Sequence, residues 1–432
     1  MMSALKRTLW QTGLRRTAAW KAGKIALNDR RKRKALSGIA SASGAPEQLR
    51  ILVINHFFDG EIEALSGCIA GRDDVAMRCI SPEPFFSRAM AWFPEPVHRA
   101  EIEYDAPELE PIRARFREYC QTLFEELASR FSFDCVLSPS DSFYWLREFI
   151  GVCQSKGIPV IIADKEGTIS ARSFDVEPLR IRRMFPPIAD YFFVWSERQK
   201  EFWLKAGVEE SRISVVGSMR TDRYVNLVHG RPDTILCYDF DTDAYINNMD
   251  WEALAWKGER NWNYLRDAMH RVMLRIARDY PGYTIVIKCH PQQVVTEFAV
   301  SELESQPNVK IIKGIPKGLP ALLSGAVAVV GFQTTALLES ALARTPTLYT
   351  AWGELFELVR DQILPWSNPG YGMKWIQSEE ELESALRAVL DSVNGQQEFD
   401  ADRSRLADYF FQADGRVTER LLAQLQALAG KR

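Results

Sequence analysis

The sequence has 432 residues, more than a single hydrophobic core ordinarily supports, so we expect two domains. Hydrophobic residues make up 46% of the chain and charged residues 26%, proportions that exclude a disordered or fibrous protein. No apolar run reaches the ~18–20 residues that a membrane-spanning helix needs, and the first residues lack the apolar core of a secretory signal. The seven cysteines form no C-x-x-C pair, so we expect reduced thiols in a reducing compartment and no metal site.

The chain begins with a basic segment that the overall net charge of −3 conceals, because residues 1–44 contain eleven lysines and arginines and one acidic residue. Residues 1–34 have the apolar spacing of a helix, and Trp10 and Trp20 lie among the basic side chains. This pattern favours an arm on an anionic membrane surface or a membrane-borne partner; the alternative is a solvated helix packed on its own domain. Nucleic acid is not expected as a partner, since the rest of the chain is acidic. Residues 1–45 are therefore predicted to be a basic amphipathic helical arm and linker.

Residues 46–228 alternate between apolar strand runs and helical patterns, which predicts a parallel sheet. Strands are predicted at 49–55, 75–80, 135–137, 159–163, 189–195 and 213–216. Helices are predicted after the first strand and at 108–131, 143–156 and 197–206. The stretch 81–104 is rich in proline and aromatic residues and is predicted to be a long loop.

Residues 229–402 repeat the alternation and predict a second parallel sheet, reached by a crossover near 225–232. Its strands are predicted at 234–238, 284–288, 309–312, 326–330 and 347–350, with helices at 264–279, 318–324 and 379–394. A last helix is predicted over about 403–429, within a C-terminal segment of 403–432. The predicted fold is α/β, with two Rossmann-like domains facing a cleft and a basic N-terminal helical arm.

Polar residues follow two predicted strands of the second domain, at the edge where open α/β sheets bind ligands. Lys288 and His290 end one strand and can hold a diphosphate or donate to a departing phosphate oxygen. The alternative is a turn capped by His290 beside a solvated Lys288. Thr334 and Thr335 begin a helix, where free N–H groups and the helix dipole favour phosphate, a role compatible with simple N-capping. Glu339 lies about one turn inside that apolar helix and needs a partner, either ribose hydroxyls or an internal arginine.

Transfer to a hydroxyl acceptor requires a general base, and four carboxylates are candidates. Asp59 and Glu61 lie in the predicted turn after the first strand, Glu166 precedes a glycine, and Asp141 follows the third strand. Each also fits a solvated turn acid. Arg220 lies near the domain crossover, where it either pairs with Asp222 or faces phosphate. The chain has no P-loop, H-E-x-x-H or G-x-S-x-G motif, and the missing G-x-G-x-x-G argues against a nicotinamide enzyme.

These motifs, taken in order, resemble the two-domain GT-B glycosyltransferases. More narrowly, the chain is similar to the bacterial surface-polysaccharide branch that includes CDP-glycerol glycerophosphotransferases and capsule-type sugar transferases. The resemblance extends over about 190–415 and rests on these residues: Asp190-Tyr, Trp195-Ser, Gly207-Val, Arg212-Ile, Val216-Gly217-x-x-Arg220-x-Asp222, Lys288-x-His290-Pro291, Thr334-Thr335-x-x-x-Glu339 and Phe411-x-x-Asp414-Gly415-Arg.

The resemblance implies a nucleotide-sugar donor in the C-terminal domain and a polysaccharide or lipid-linked acceptor in the N-terminal domain. It also implies a cytoplasmic protein, peripheral on the inner face of the cytoplasmic membrane. The implied donor contacts are Lys288, His290, Thr334, Thr335 and Glu339. The glycerophosphotransferases have a His-Gly turn where this chain has Lys165-Glu166-Gly167, a departure that favours a sugar transferase with a carboxylate base.

We therefore expect a glycosyltransferase of cell-surface polysaccharide assembly. Its predicted catalytic residues are Glu166, Asp59, Glu61 and His290, and Arg220 joins the predicted donor-binding residues. No cofactor or metal is expected, since fixed cations and the helix dipole can neutralise a diphosphate. Three alternatives remain: an alditol-phosphate transferase of the CDP-glycerol type, a nucleotide-sugar 2-epimerase that needs no acceptor, and a non-catalytic scaffold with this fold.

Overall fold

The structure, a computed structural model, describes residues 48–429 except 245, 247, 248, 250, 291–299, 314–318 and 392–401. The predicted basic arm, residues 1–45, lies outside the described residues. The chain forms two compact units. Unit 1 is Met1–Lys165, Glu177–Met219 and Thr418–Arg432, and unit 2 is Glu166–Val176 and Arg220–Val417. Each unit has a parallel six-stranded sheet, so both are Rossmann-like, as the sequence predicts.

The sheet of unit 1 has the strand order β2-β1-β3-β4-β5-β6. Its strands are β1 Leu49–Ile54, β2 Val75–Ile80, β3 Cys135–Ser138, β4 Val160–Ala163, β5 Tyr191–Val194 and β6 Ile213–Val215. Ile51 of β1 lies opposite both Met77 of β2 and Cys135 of β3, so β1 is an interior strand. Every residue of β3 and β4 is buried, as expected for parallel strands with both faces covered.

The sheet of unit 2 has the strand order β12-β11-β10-β7-β8-β9. Its strands are β7 Thr234–Tyr238, β8 Thr284–Lys288, β9 Val309–Ile312, β10 Ala326–Gly331, β11 Thr347–Thr350 and β12 Lys374–Ile376. The order reverses between β7 and β10, and doubly wound sheets bind ligands outside the carboxyl ends of the strands at such a point. Tyr238 lies opposite both Lys288 and Gly331, so three strand ends meet at this edge.

The helices of the described residues cover the sheets of both units. In chain order they are α1 Asp59–Ile69, α2 Glu83–Trp92, α3 Glu95–His98, α4 Glu110–Arg130, α5 Arg147–Ser155, α6 Ala171–Met184, α7 Glu197–Lys205, α8 Asp222–Val225, α9 Trp251–Leu254, α10 Asn263–Asp279, α11 Val300–Glu304, α12 Leu319–Ser324, α13 Thr335–Leu342, α14 Glu354–Val359, α15 Glu379–Asp391 and α16 Val417–Ala429. Short 3₁₀ turns cover Pro107–Leu109, Glu210–Arg212, Met219–Thr221 and Ser404–Asp408.

The long loop predicted for 81–104 is wrong, because this stretch contains α2 and α3. Pro84 and Pro96 lie in the first turns of these helices, where no intrahelical N–H donor is required. Phe85 is fully buried and anchors α2 to the core of unit 1. Proline therefore marks two helix starts in this region and not a loop.

The C-terminal region also differs from its prediction, since the single helix expected over about 403–429 is two separate elements. A 3₁₀ turn at Ser404–Asp408 and α16 are separated by a segment in which Gly415 has a φ of 75°. Such a conformation ends a helix and favours glycine. In addition, the helix predicted for 143–156 begins only at Arg147.

The division into units differs from the predicted domain bounds of 46–228, 229–402 and 403–432. The segment Glu166–Val176 belongs to unit 2 although it follows β4 of unit 1. Unit 2 resumes at Arg220, and α16 beyond Val417 belongs to unit 1. Local sequence patterns do not report these assignments, since they depend on contacts between residues far apart in the chain.

All seven cysteines are free, and five of them are buried. Cys79 is exposed, so not every thiol is part of a core. Within the described ranges, no helix is long and apolar enough to cross a membrane. The same part of the chain has no group of three or more His, Cys, Asp and Glu residues placed to hold a metal ion.

Candidate functional site

Lys288 is the last residue of β8 and lies at the edge where β7, β8 and β10 end. Its side chain is partly buried, and its ammonium nitrogen lies 5.8 Å from the ring centroid of Tyr238. Burial lowers the pKa of Lys288, while the nearby Glu339 acts in the opposite direction. A partly desolvated ammonium group attracts an anion more strongly than a fully hydrated one does. Lys288 is therefore suited to contact phosphate oxygens at this edge.

His290 lies two residues beyond the end of β8, and Pro291, the next residue of the predicted motif, lies outside the described residues. Burial and the neighbouring Lys288 lower the pKa of His290, while Asp241 and Glu166 act in the opposite direction. The imidazole is therefore neutral at physiological pH. A neutral imidazole has one donor and one acceptor nitrogen, so it can both bind an oxygen and exchange a proton.

The start of helix α13 is held by Gln333, a residue with a left-handed backbone conformation, φ 45°. Its buried side-chain amide donates to the Tyr349 hydroxyl at 2.5 Å and to the Leu364 carbonyl at 3.1 Å. The Leu364 N–H donates back to the Gln333 side chain at 2.8 Å. Thr334 occupies the N-cap but makes no side-chain capping bond, so its hydroxyl does not fill the cap position. The exposed N–H groups of a helix start attract anions.

A hydroxyl and carboxylate cluster adjoins the start of α13. The Glu166 carboxylate accepts hydrogen bonds from Thr335 at 3.2 Å and from Thr168 at 3.0 Å, and the two threonine hydroxyls are 3.2 Å apart. All three residues belong to unit 2. Thr335 is the first residue of α13, so the Glu166 carboxylate lies beside the start of this helix. Glu166 is thereby placed beside the candidate donor residues of this unit.

Glu339 is buried in α13 and forms an ion pair with Arg220, whose Nε lies 3.1 Å from Oε1 of Glu339. The Tyr224 hydroxyl also donates to Glu339. Burial raises the pKa of Glu339 despite the opposing effect of Arg220. Of the two partners that the sequence suggests for this carboxylate, ribose and an internal arginine, the structure shows the arginine. Asp222, the other partner suggested for Arg220, accepts a hydrogen bond from the Val417 N–H at 2.9 Å.

The remaining predicted carboxylates lie in unit 1. The turn predicted for Asp59 and Glu61 is wrong, because α1 begins at Asp59. Acidic residues are favoured in a first helical turn by the helix dipole. Asp59 is exposed and accepts from the Asn55 side chain at 3.0 Å, whereas Glu61 is only 2% exposed and is not a solvated turn acid.

Asp141, the fourth carboxylate considered as a base, is completely buried. One of its oxygens accepts from the N–H groups of Ile188 and Ala189, at 2.7 and 3.0 Å. Burial raises its pKa, and the two backbone bonds oppose that effect. A carboxylate with no solvent exposure that binds two backbone donors has a structural role, so Asp141 is removed from the candidate bases.

Three residues of the candidate site escaped sequence reasoning, namely Gln333, Thr168 and Tyr224. Gln333 lies inside a motif that drew attention to the threonines beside it, and a left-handed glutamine has no sequence signature. Thr168 and Tyr224 acquire their roles through Thr335 and Glu339, which are distant in the chain. Only the tertiary structure brings these pairs together.

No family model and no curated protein matches the chain. Among solved structures, a UDP-N-acetylglucosamine 2-epimerase is 14% identical, with a TM-score of 0.55 over 90% of this chain and 98% of that one. The UDP-GlcNAc 2-epimerase of Neisseria meningitidis, bound to UDP-GlcNAc, is 12% identical, with a TM-score of 0.52 over 88% of this chain and 100% of that one. The Methanocaldococcus jannaschii enzyme is 15% identical, with a TM-score of 0.50 over 87% and 99%.

At these identities the likeness shows a shared fold and nothing finer. The fold is the two-domain, GT-B-like fold of the UDP-GlcNAc 2-epimerases, in agreement with the predicted GT-B class. These three structures do not support the narrower resemblance to the CDP-glycerol and capsule transferase branch. Fold alone does not assign a reaction, which depends on the residues of the site.

Proposed function

We propose that this protein is an enzyme of nucleotide-activated sugars and that unit 2 binds the nucleoside diphosphate. The observation that carries the proposal is the grouping of Lys288 and neutral His290 at the end of β8, beside the helix start of α13. Arg220 adds a second cation, oriented by Glu339. Fixed cations and helix N–H groups stabilise a diphosphate both when it is bound and when it departs from a sugar.

The reaction that we propose is epimerisation of a UDP-sugar at C2. The shared fold supports this choice, and so does the presence in unit 2 of two proton-transfer groups, Glu166 and His290, which are close enough for the Glu166 carboxylate to act on the pKa of His290. Inversion at C2 requires one group to remove the C2 proton and another to return a proton to the opposite face. C1 is an acetal carbon and not a carbonyl, so it does not make the C2 proton acidic. Loss of the C2 proton is therefore coupled to departure of the nucleoside diphosphate from C1, which leaves a double bond between C1 and C2. Return of both restores a nucleotide sugar without an oxidant or an acceptor.

The test uses the full chain and UDP-N-acetylglucosamine alone, in deuterium oxide, followed by proton NMR. The proposal expects a second UDP-sugar whose C2 position carries deuterium from the solvent. Lys288→Met and His290→Gln should each slow its formation strongly, whereas Lys374→Met, which removes an exposed lysine of β12, should not. Absence of both a new sugar and deuterium with UDP-, dTDP-, GDP- and CDP-activated sugars would rule out the epimerase.

A glycosyltransferase is the second candidate, and a specific observation favours it. The motifs from Val216-Gly217 to Asp414-Gly415 resemble the surface-polysaccharide transferases, and residues 1–34 are basic with two tryptophans. This candidate requires a polysaccharide or lipid-linked acceptor and work on the inner face of the cytoplasmic membrane. An alditol-phosphate transferase would differ only in using a CDP-alditol donor.

Two measurements separate the candidates. A transferase gives no deuterated epimer from the donor alone and forms product only when a lipid-linked or polysaccharide acceptor is added. Calorimetry with UDP, CDP, CMP, GDP and dTDP identifies the donor class, and His290→Ala should weaken the nucleotide that binds tightly. Failure of every nucleotide to bind would favour a non-catalytic scaffold with this fold.

A further inference from the structure

Unit 1 has an aromatic cluster at the carboxyl edge of its own sheet. The cluster consists of His56 and Phe57 after β1, Phe143 and Trp145 after β3, and Lys165 after β4. These three strands are neighbours, and the strand order reverses between β1 and β3. That reversal is the position at which doubly wound sheets form a ligand crevice. The cluster therefore occupies, in unit 1, the kind of position that Lys288 and α13 occupy in unit 2.

The rings are arranged as a buried support beneath an exposed surface. Phe143 and Trp145 are stacked with centroids 4.8 Å apart, and Trp145 is only 3% exposed. The imidazole of His56 meets Phe57 edge-on at 4.6 Å and Phe143 at 4.9 Å. The Lys165 ammonium lies 4.9 Å from the Phe57 centroid. Contacts of this kind hold the exposed ring and the ammonium in defined positions.

Phe57 has two energetically unfavourable features, a left-handed backbone and an aromatic side chain exposed to water. Its backbone has a φ of 54°, an uncommon conformation for a bulky side chain, and the residue is 59% exposed to water. Glycine or asparagine would adopt this backbone with less strain and would expose no ring. Backbone strain at an exposed aromatic residue points to a functional contact.

The polar groups around the ring suit hydroxyl groups. Burial and Lys165 lower the pKa of His56 to about 4, so its imidazole is neutral at physiological pH and can both donate and accept. Lys165 supplies an ammonium donor over the Phe57 ring. Donors and acceptors beside an exposed aromatic face match a sugar ring, which has an apolar C–H face and a rim of hydroxyls.

We propose that the aromatic cluster of unit 1 binds a pyranose ring, with the C–H face of the sugar on Phe57 and its hydroxyls on Lys165 and His56. The inference rests on the proposed function in taking this protein to act on sugars.

The test is saturation-transfer NMR on the full chain with methyl glycosides of glucose, galactose, N-acetylglucosamine and glucuronic acid, and with UDP-N-acetylglucosamine. Wild type should transfer saturation to the ring protons of at least one sugar. Phe57→Gly should weaken that transfer about tenfold, the loss expected for one stacking contact. Leu179→Ala, which removes a side chain of similar exposure (62%) from the same unit, should leave it unchanged.

Stability measurements distinguish a binding role from a structural one. Phe57→Gly should melt at the same temperature as wild type or higher, because glycine relieves the left-handed strain. A fall in melting temperature together with unchanged sugar binding would overturn the proposal, as would equal transfer in Phe57→Gly and wild type. A response of uridine rather than of sugars to the substitution would indicate a nucleobase site and overturn it as well.

Binding of UDP and binding of a methyl glycoside can be measured separately, so the nucleotide site and the sugar site are tested independently. Saturation transfer to a methyl glycoside identifies a sugar site that requires no nucleotide, whereas transfer only to the UDP-sugar would overturn the proposal. His290→Ala should weaken UDP binding without affecting saturation transfer to a methyl glycoside. Loss of UDP binding with sugar binding intact would therefore count against the nucleotide site and not against the aromatic cluster.

Discussion

Several charged residues of unit 2 form ion pairs, and the burial of a pair determines how strongly its loss affects the stability of the protein. Glu339 has a side chain that is 5% exposed, and Arg220, its partner at 3.1 Å, has one that is 21% exposed. By contrast, both members of the Arg278–Glu302 pair are more than half exposed. Exposed pairs contribute ~0–1 kcal/mol to stability, whereas breaking a buried pair leaves an uncompensated charge. Disruption of the Arg220–Glu339 pair should therefore lower the stability of unit 2 more than disruption of the Arg278–Glu302 pair.

Arg220→Met should lower the free energy of unfolding by about 3 kcal/mol at pH 8, since it leaves the Glu339 carboxylate buried without its cation. The pKa of Glu339 is already raised above its unfolded value of 4.5, and loss of Arg220 raises it further. The destabilisation is therefore full above the pKa that Glu339 has in the folded variant, and it disappears as the pH falls below the pKa that Glu339 has in the folded wild type. Denaturant unfolding at a series of pH values measures this. Adding Glu339→Gln to the variant should restore part of the stability at pH 8, and a pH-independent loss would contradict the explanation.

His290 leads to a second residue-scale prediction, for the pH dependence of nucleotide binding. Its pKa in the free protein is lowered below 6.5, and a bound diphosphate should raise it by favouring the imidazolium. Binding then takes up a proton between the two pKa values, so UDP affinity should rise as the pH falls from about 8 to about 5. Calorimetry in buffers of different ionisation enthalpy should detect the proton uptake. His290→Gln should remove both effects, and a wild-type affinity that is flat with pH would contradict the proximity of His290 to the diphosphate.

Elements built from continuous apolar runs were predicted to the residue, whereas elements defined by special backbone positions were not. The strands β2, β7, β8, β9 and β11 have the predicted bounds because they are short buried runs followed by polar turns. The start of α2 was missed because Pro84 signals both a loop and a first helical turn. Lys288, His290, Thr335 and Glu339 were grouped by the sequence and lie in one unit, whereas Glu61 proved to be a buried helical residue.

The turn before α13 shows how one side chain can hold a whole element in place. Gln333→Ala should lower the free energy of unfolding by about 1–3 kcal/mol, because the buried N–H of Leu364 loses its acceptor, whereas the Leu364 carbonyl still accepts from the Trp366 N–H. It should also weaken UDP binding, since the start of α13 is no longer held. Gln333→Glu keeps an acceptor for the Leu364 N–H but loses the amide donor, so its loss of stability reports on the donor side of the network. Wild-type UDP affinity in a destabilised Gln333→Ala protein would separate this turn from the nucleotide site.

At the scale of the whole chain, sequence order does not determine which residues form a unit. The segment Glu166–Val176 joins unit 2, where Glu166 and Thr168 contact Thr335, although both flanking segments belong to unit 1. Sequence patterns predicted two parallel sheets correctly, but the order of strands within each sheet depends on which crossover packs on which face. The same reasoning explains why the C-terminal helix could not be assigned to a unit from its own residues.

The assignment of α16 to unit 1 leads to a prediction for the stability of the two units. Leu422 is 1% exposed, and α16 bonds to unit 1 through Arg420, which donates to the Val216 carbonyl, and Gln426, which donates to Asp74 at 2.9 Å. Leu422→Ala should cost about 2–5 kcal/mol, because it opens a cavity in that core. Native-state hydrogen exchange should then be faster in β1 to β6 and unchanged in β7, β8 and β10. Leu428→Ala, at a partly exposed position on the same helix, should have a smaller effect with the same distribution. Faster exchange in the strands of unit 2 alone would show that α16 stabilises the other unit.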